Sequence, residues 1–344
     1  MQEERPATSL RSRRALLALA TVALTACGSV VAHPPASPHA SRSALPVETV
    51  HIPAGSSQPA RLPAPVIVQV ENAVDSRPQS GLSFASVVYE YVAEGGIGRF
   101  SAIYDHPSAA VPIGPVRSAR LAAIHALNLY QAVLLYSGAS QHVQSVLESS
   151  ATNYFDETSA RGALFRISSR VPPHNLYTDG AHVAALLDRV KPGPISYQPY
   201  SSQRPLGGGT PVTHFTVPIS ASETPQWTWD TTAGGWLRSE SDTGKSIDAD
   251  TNRQLMATTV VVQQVQITVT PFVEDVNGVH GRDHTLTGSG KAQVFVDGKE
   301  YDATWTQPGN GPPRLTLANG QPAPMALGSV WFELVATGAS AQLG

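Results

Sequence analysis

Leu121–Gly138 reads LAAIHALNLYQAVLLYSG, and its two halves follow different periods. Leu121, Ile124, Leu127 and Leu129 recur at the spacing of one helix face. Ala132–Tyr136 is then apolar without alternation and stops at Gly138, as a strand covered on both faces does. A helix feeding a buried strand is the repeating unit of an α/β sheet. Working outward, Val66–Val70, Val87–Val92 and Arg99–Tyr104 read as further strands. Gln141–Leu147 and Asp179–Val190 read as helices, with Asp179 a predicted N-cap for the second. Residues 65–195 are therefore expected to form an α/β domain.

A Pro/Gly/Ser-rich linker over 196–209 ends in a glycine triplet, and the pattern changes after it. Val212–Val217, Gln226–Asp230, Thr258–Thr270, Lys291–Val296 and Val330–Val335 are β-prone. The turns between them are Asp242-Thr243-Gly244, Asn277-Gly278, Asp297-Gly298 and Asn319-Gly320, which are hairpin signals. The expected class is α+β: an N-terminal α/β domain followed by a smaller, mostly antiparallel β-rich domain over 210–338.

The N-terminus carries an address. Arg11, Arg13 and Arg14 precede the apolar run Ala15–Thr25, which is too short to span a bilayer. Leu24-Thr25-Ala26-Cys27 closes it on the chain's single cysteine and resembles a bacterial lipobox. Residues 1–27 are read as a lipoprotein signal peptide, Cys27 as the lipidated residue, and 28–64 as a Pro/Ser/Ala-rich tether. The expected location is the extracytoplasmic face of the cell membrane, held there by lipid on Cys27. Ser12-Arg13-Arg14 admits the twin-arginine export route as well as the general secretory one. One cysteine allows no internal disulfide. A net charge of −3 argues against nucleic acid as a partner. Phosphate-loop, H-E-x-x-H and paired C-x-x-C patterns do not occur, so neither cofactor nor metal is expected.

Several blocks belong together: Arg77–Leu82 (RPQSGL), Tyr89–Phe100 (YEYVAEGGIGRF), Gly114–Arg120 (GPVRSAR), Pro173–Thr178 (PHNLYT) and Gly281–Lys299 (GRDHTLTGSGKAQVFVDGK), with a late VWFELV. In this order they resemble the YerB-like family of bacterial lipoproteins, over about residues 65–337. The resemblance implies a lipid-anchored envelope protein whose body is an N-terminal domain followed by its own C-terminal domain. It implies no reaction. Tyr136-Ser137-Gly138-Ala139-Ser140 stands where the family carries a stretch like H-x-G-G-S, so no backbone cradle is inferred there.

The first half holds Arg77, Arg99, Arg117, Arg120, Arg166 and Arg170 and no lysine between 65 and 190. Each of Arg77, Arg99 and Arg117 adjoins turn residues, where ligand groups collect. Arg117 and Arg120 sit where the first helix begins, although a helix N-terminus favours anions. A helix starting at Ser118, capped by it, would put the two on one face. Two readings answer the conflict. Glu71, Glu90 and Glu94 pair with the arginines, or an external anion is held by guanidiniums and helix N–H groups. In the second reading Arg77, Gln79, Arg99, Arg117, Arg120, Arg170 and Asn175 make up the ligand-binding set.

For catalysis, the candidates are Glu90, Glu94 and His174. Four residues of strand would separate the two glutamates by about 13 Å. That exceeds the roughly 5–9.5 Å of a glycosidase pair, unless Gly95-Gly96 turns Glu94 back. His142 is a weaker candidate, and Ser140 lacks a nucleophile elbow. The five tryptophans, Trp227, Trp229, Trp236, Trp305 and Trp331, are either a glycan platform or core. Three functions follow: binding of an anionic glycan or phosphate-containing wall polymer in an arginine-lined cleft, hydrolysis of such a polymer, or scaffolding of other envelope proteins.

Overall fold

The computed structural model describes residues 62–151, 153–192, 208–307 and 311–344. The signal peptide, Cys27 and nearly all of the tether lie outside them, as does most of the 196–209 linker. Among the described residues no helix is long and apolar enough to cross a membrane.

The first half contributes β1 (Val66–Glu71), β2 (Val87–Val92), β3 (Gly98–Tyr104), α1 (Leu121–Tyr130), β4 (Val133–Leu135), α2 (Gln141–Ser150), β5 (Tyr154–Phe155), β6 (Phe165–Arg166), β7 (Leu176–Tyr177) and α3 (Gly180–Val190). Asp179 caps α3 by accepting from the His182 N–H at 2.8 Å. The second half contributes β8 (His214–Thr216), β9 (Gln226–Asp230), β10 (Gly235–Glu240), β11 (Thr259–Val265), β12 (Ile267–Val273), β13 (His280–His284), β14 (Gly288–Val296), β15 (Lys299–Gln307), β16 (Arg314–Leu317) and β17 (Val330–Ala336). The run read as one strand over 258–270 breaks at Gln266. Its two parts enter different sheets.

The two halves do not close separate sheets. One sheet runs β16-β15-β14-β11-β17-β2-β3-β1-β4-β5. The seam is β17, which pairs parallel with β11 on one side and parallel with β2 on the other, Val87 opposite Val330 and Glu90 opposite Glu333. Val330–Val335 are all buried, so this strand needs a neighbour at each edge and cover on each face.

Alternate residues supply the two faces. Val66, Val68, Val88, Phe100, Val260 and Trp331 face a core closed by α3 and by Phe215, Trp227 and Trp236 of a smaller sheet containing β8, β9 and β10. Ile67, Tyr89, Ile103, Val261 and Phe332 face a core closed by α1. Both layers cross the seam. The β12–β13 hairpin forms its own two-stranded sheet and packs on α1.

Candidate functional site

The chain from Ile113 to Arg120 is extended, not helical. The Arg117 N–H donates to the Gln69 carbonyl at 2.8 Å and the Ala119 N–H to the Gly138 carbonyl at 2.9 Å. These bonds hold the segment between β1 and the loop after β4, so α1 starts at Leu121 with Arg120 in the N-cap position (φ −134°, ψ 164°). The start at Ser118 that would put both arginines on one face is thus three residues too early, because backbone pairing holds Ser118 outside the helix. Residues three apart in extended chain point opposite ways. Arg117 turns to Glu71 (Nε–Oε1 2.9 Å). Arg120 turns to Glu94, which accepts from Nε at 2.7 and 2.8 Å and from Nη2, with Glu274 of the turn after β12 a further 3.7 Å from Nε. The helix end meets carboxylates of the same chain.

Glu90 and Glu94 belong to different networks. Glu90 is fully buried and accepts from Arg238 Nη2 at 2.8 and 2.9 Å. Arg238, on β10, also donates to Glu240 and, at 2.9 Å, to the Ser246 hydroxyl. Its guanidinium lies 5.2 Å from the Phe100 ring centre and 5.5 Å from that of Trp331. Glu333 of β17 completes the cluster and accepts from the Trp227 indole at 2.9 Å. Burial, with Glu333 and Glu240 nearby, raises the Glu90 pKa well above the ordinary carboxylate value against the opposing pull of Arg238. Arg77 joins from the rim. It reaches the Asn72 carbonyl (2.9 Å), Asp242 (2.6 Å), Glu223 (3.4 Å) and Glu240 (3.6 Å).

Arg99 is buried, gives one bond to the Ser118 carbonyl at 2.9 Å and leaves Nε unpartnered. Burial and the neighbouring Arg120 lower its pKa to about 10. Gln79 is buried and donates to the Glu71 carbonyl (3.1 Å) and to Asn72 (2.7 Å). Asn175 accepts from Arg166 at 2.7 Å. The arginines are therefore brought near one end of the sheet but are mostly bonded inward. The partners that the sequence reading missed are Glu223, Arg238, Glu240, Asp242, Glu274 and Glu333, all from the second half. One sequence signal was available: Glu333 is a lone charge in the apolar run VWFELV.

Glu223 gives a test of this seam. Burial and the nearby Glu90 and Glu240 push its carboxyl up to about 9, although Arg77 is 3.4 Å away. In the unfolded chain it ionises near the ordinary value of 4.5. Folding therefore favours the protonated form, and that contribution is lost as pH rises from the unfolded value through about 9. The urea midpoint is expected to fall between pH 7 and 9, and Glu223→Gln is expected to flatten the decline. An equal decline in the variant would rule out Glu223 as its source.

The solvent-open part lies nearby. Asp75, Ser169, Arg170, Val171, Pro172 and His174 line a depression of about 410 Å³. His174 Nδ1 is 2.7 Å from Glu71 Oε2, so the carboxylate that pairs with Arg117 also orients this ring. Arg170 donates to the carbonyls of Ser76 (2.6 Å) and Arg77 (3.0 Å) and to the Tyr177 hydroxyl (3.1 Å). Among the described residues it makes no ion pair with a carboxylate. His142 is stacked on Phe272 with ring centres 3.7 Å apart, and Ser140 caps α2 through the Val143 N–H at 3.2 Å. Trp227, Trp236, Trp305 and Trp331 are buried, which makes them core and not a platform.

Fold and site together define a mixed α/β body in which two segments build one sheet and share one arginine–carboxylate seam. The chain belongs to the YerB-like family: the models described as "Protein of unknown function (DUF3048)" match it with their N-terminal domain at residues 54–192 and their C-terminal domain at 215–332. It is similar to the "Putative lipoprotein YerB" of Bacillus subtilis (strain 168), with 29% identity over 279 residues that cover 79% of this chain and 81% of that one. It is also similar in fold to the crystal structure of YerB protein from Bacillus subtilis. The TM-score is 0.68 at 24% identity, covering 84% of this chain and 94% of that one.

Proposed function

We propose that this is a lipid-anchored envelope protein whose body binds an anionic group, the phosphate or carboxylate of an envelope polymer, at the depression beside Arg170 and His174. The observation that supports it is Arg170: a guanidinium held in place by two carbonyls and a hydroxyl, with no carboxylate in ion-pair range among the described residues. Neutral partners fix its geometry and leave its charge for a ligand. Arg77, Arg117 and Arg120 fit an orienting role, since Asp242 and Glu240, Glu71, and Glu94 of the same chain lie within ion-pair range of them.

A polymer of glycerol phosphate is the probe. Retention on the immobilised polymer is expected to fall with added salt, and Arg170→Gln to weaken it at least tenfold with the urea midpoint little changed. Arg166→Gln, on an exposed pair with Glu157, is the control and keeps retention. Retention unchanged in Arg170→Gln would overturn the reading. Hydrolysis of the same polymer is a second reading. It draws on the Glu71–His174 pair, a histidine oriented by a carboxylate as a general base is, and not on Glu90 or Glu94. Release of soluble fragments by the parent chain, abolished in His174→Gln, would favour it.

A further inference from the structure

The β12–β13 hairpin has two unlike faces. The inner face is committed to the body: Asp283 pairs with His125 at 2.7 Å, Phe272 stacks on His142, and Glu274 approaches Arg120. On the outer face, Val269 is directly opposite Arg282 and Val273 opposite His280. Opposed residues of an antiparallel pair project to the same side; the register shifts between the two pairs, but Arg282 and His280 are two apart on β13 and so place both pairs on one side. Val269 is 59% exposed and Val273 49%, and the turn adds Val279 at 37% and Val276 at 101%. Arg282 makes no ion pair among the described residues. Asp275, the carboxylate of the turn, is bonded back to the N–H groups of Asn277 (2.9 Å) and Val279 (2.8 Å).

A hairpin that ends in uncovered valines, flanked by Arg282 and by His280, whose Nδ1 is held at 2.8 Å by the Thr270 carbonyl, has the chemistry of a bilayer interface: apolar side chains for the acyl boundary and a cation and a ring N–H for phosphates. A protein interface of this size would be expected to centre on a large aromatic or arginine anchor in a pocket. The outer face and the turn offer valines. The only aromatic side chain of β12, Phe272, stacks one ring face on His142 and is 44% exposed, outside any pocket.

We propose that the tip and outer face of this hairpin seat on an anionic lipid bilayer. Val276 and Val279 enter the interface, and Arg282 and His280 face the headgroup phosphates. The proposal rests on the anchoring reading only for the presence of a bilayer; the hairpin contact is separate from the lipid on Cys27.

The test uses the full chain carrying Val276→Trp, mixed with phosphatidylglycerol vesicles whose acyl chains are brominated. The parent chain gives the background, since four of its five tryptophans are buried. Emission from the new indole is expected to fall at least twofold in these vesicles and to change little in brominated phosphatidylcholine. Arg282→Gln with His280→Gln is expected to reduce the loss to the phosphatidylcholine level. A chain that floats with the vesicles while the indole stays unquenched overturns the hairpin proposal and leaves the anchor standing. Quenching that persists in Cys27→Ser supports the hairpin and counts against lipid on that cysteine as the source of contact. A chain that neither floats nor is quenched overturns both. Concentration-dependent self-association with an unquenched tip overturns the proposal in favour of a second copy of the chain.

Discussion

Arg238→Met is expected to destabilise the protein by about 3–5 kcal/mol, the cost of leaving buried carboxylates without their cation. Arg238 has no exposed surface, and neither does Glu90. Methionine fills much of the volume between Phe100 and Trp331 but supplies no donor for Glu90 or Glu240. The measurement is urea unfolding at pH 7, read as a lower midpoint at unchanged slope. Coupling adds a second readout. Glu90 is already pushed toward its protonated form, so Glu90→Gln alone is expected to be milder. The pair Arg238→Met with Glu90→Gln is expected to lose at least about 1 kcal/mol less than the sum of the singles, as groups in one network do. Strict additivity would show that the two side chains do not act together.

Trp331→Ala is expected to cost about 3–5 kcal/mol as well, for a different reason. Trp331 is 1% exposed, and its ring meets Phe100 edge-on at 5.5 Å and Trp227 at 5.3 Å. Phe100 belongs to the first segment and Trp227 to the second. The cavity would open at the seam, so both halves are expected to loosen together in one cooperative transition. Two separate transitions, or a loss below about 1 kcal/mol, would show that the segments hold separate cores.

Local pattern was enough to find the elements. Leu121–Tyr130 is helix over the range its spacing marks, Val133–Leu135 lies inside the apolar run read as a buried strand, and Asp179 caps the helix it precedes. The Asn277-Gly278 and Asp297-Gly298 turns join paired strands. What local pattern lacks is the choice of partner. Nothing in Val87–Val92 names Val330–Ala336 as its neighbour, and that pairing turns two composition zones into one sheet. The partners of the candidate site residues were hidden for the same reason. Glu71 and Glu94 were legible as partners for arginines because they lie in the same segment. Glu90 takes its arginine from 148 positions away. Only the alternative start at Ser118 failed: Ser118 is a good cap in isolation, while long-range backbone bonds hold it outside α1.

The placement of β17 has a consequence for the order in which the molecule is made. Synthesis delivers β2 more than 200 residues before the strand that will lie against it. Until then the edge of β2 that will carry Val330–Ala336 has no neighbour, and Val88 and Phe100 lack the indole that covers them. Such an edge is a template for pairing with another chain. Contacts this distant in sequence also form slowly. Completion of the first half's sheet therefore waits for nearly the whole chain to emerge. A stop codon placed shortly before Val330 would yield an aggregating fragment and not a smaller version of the protein.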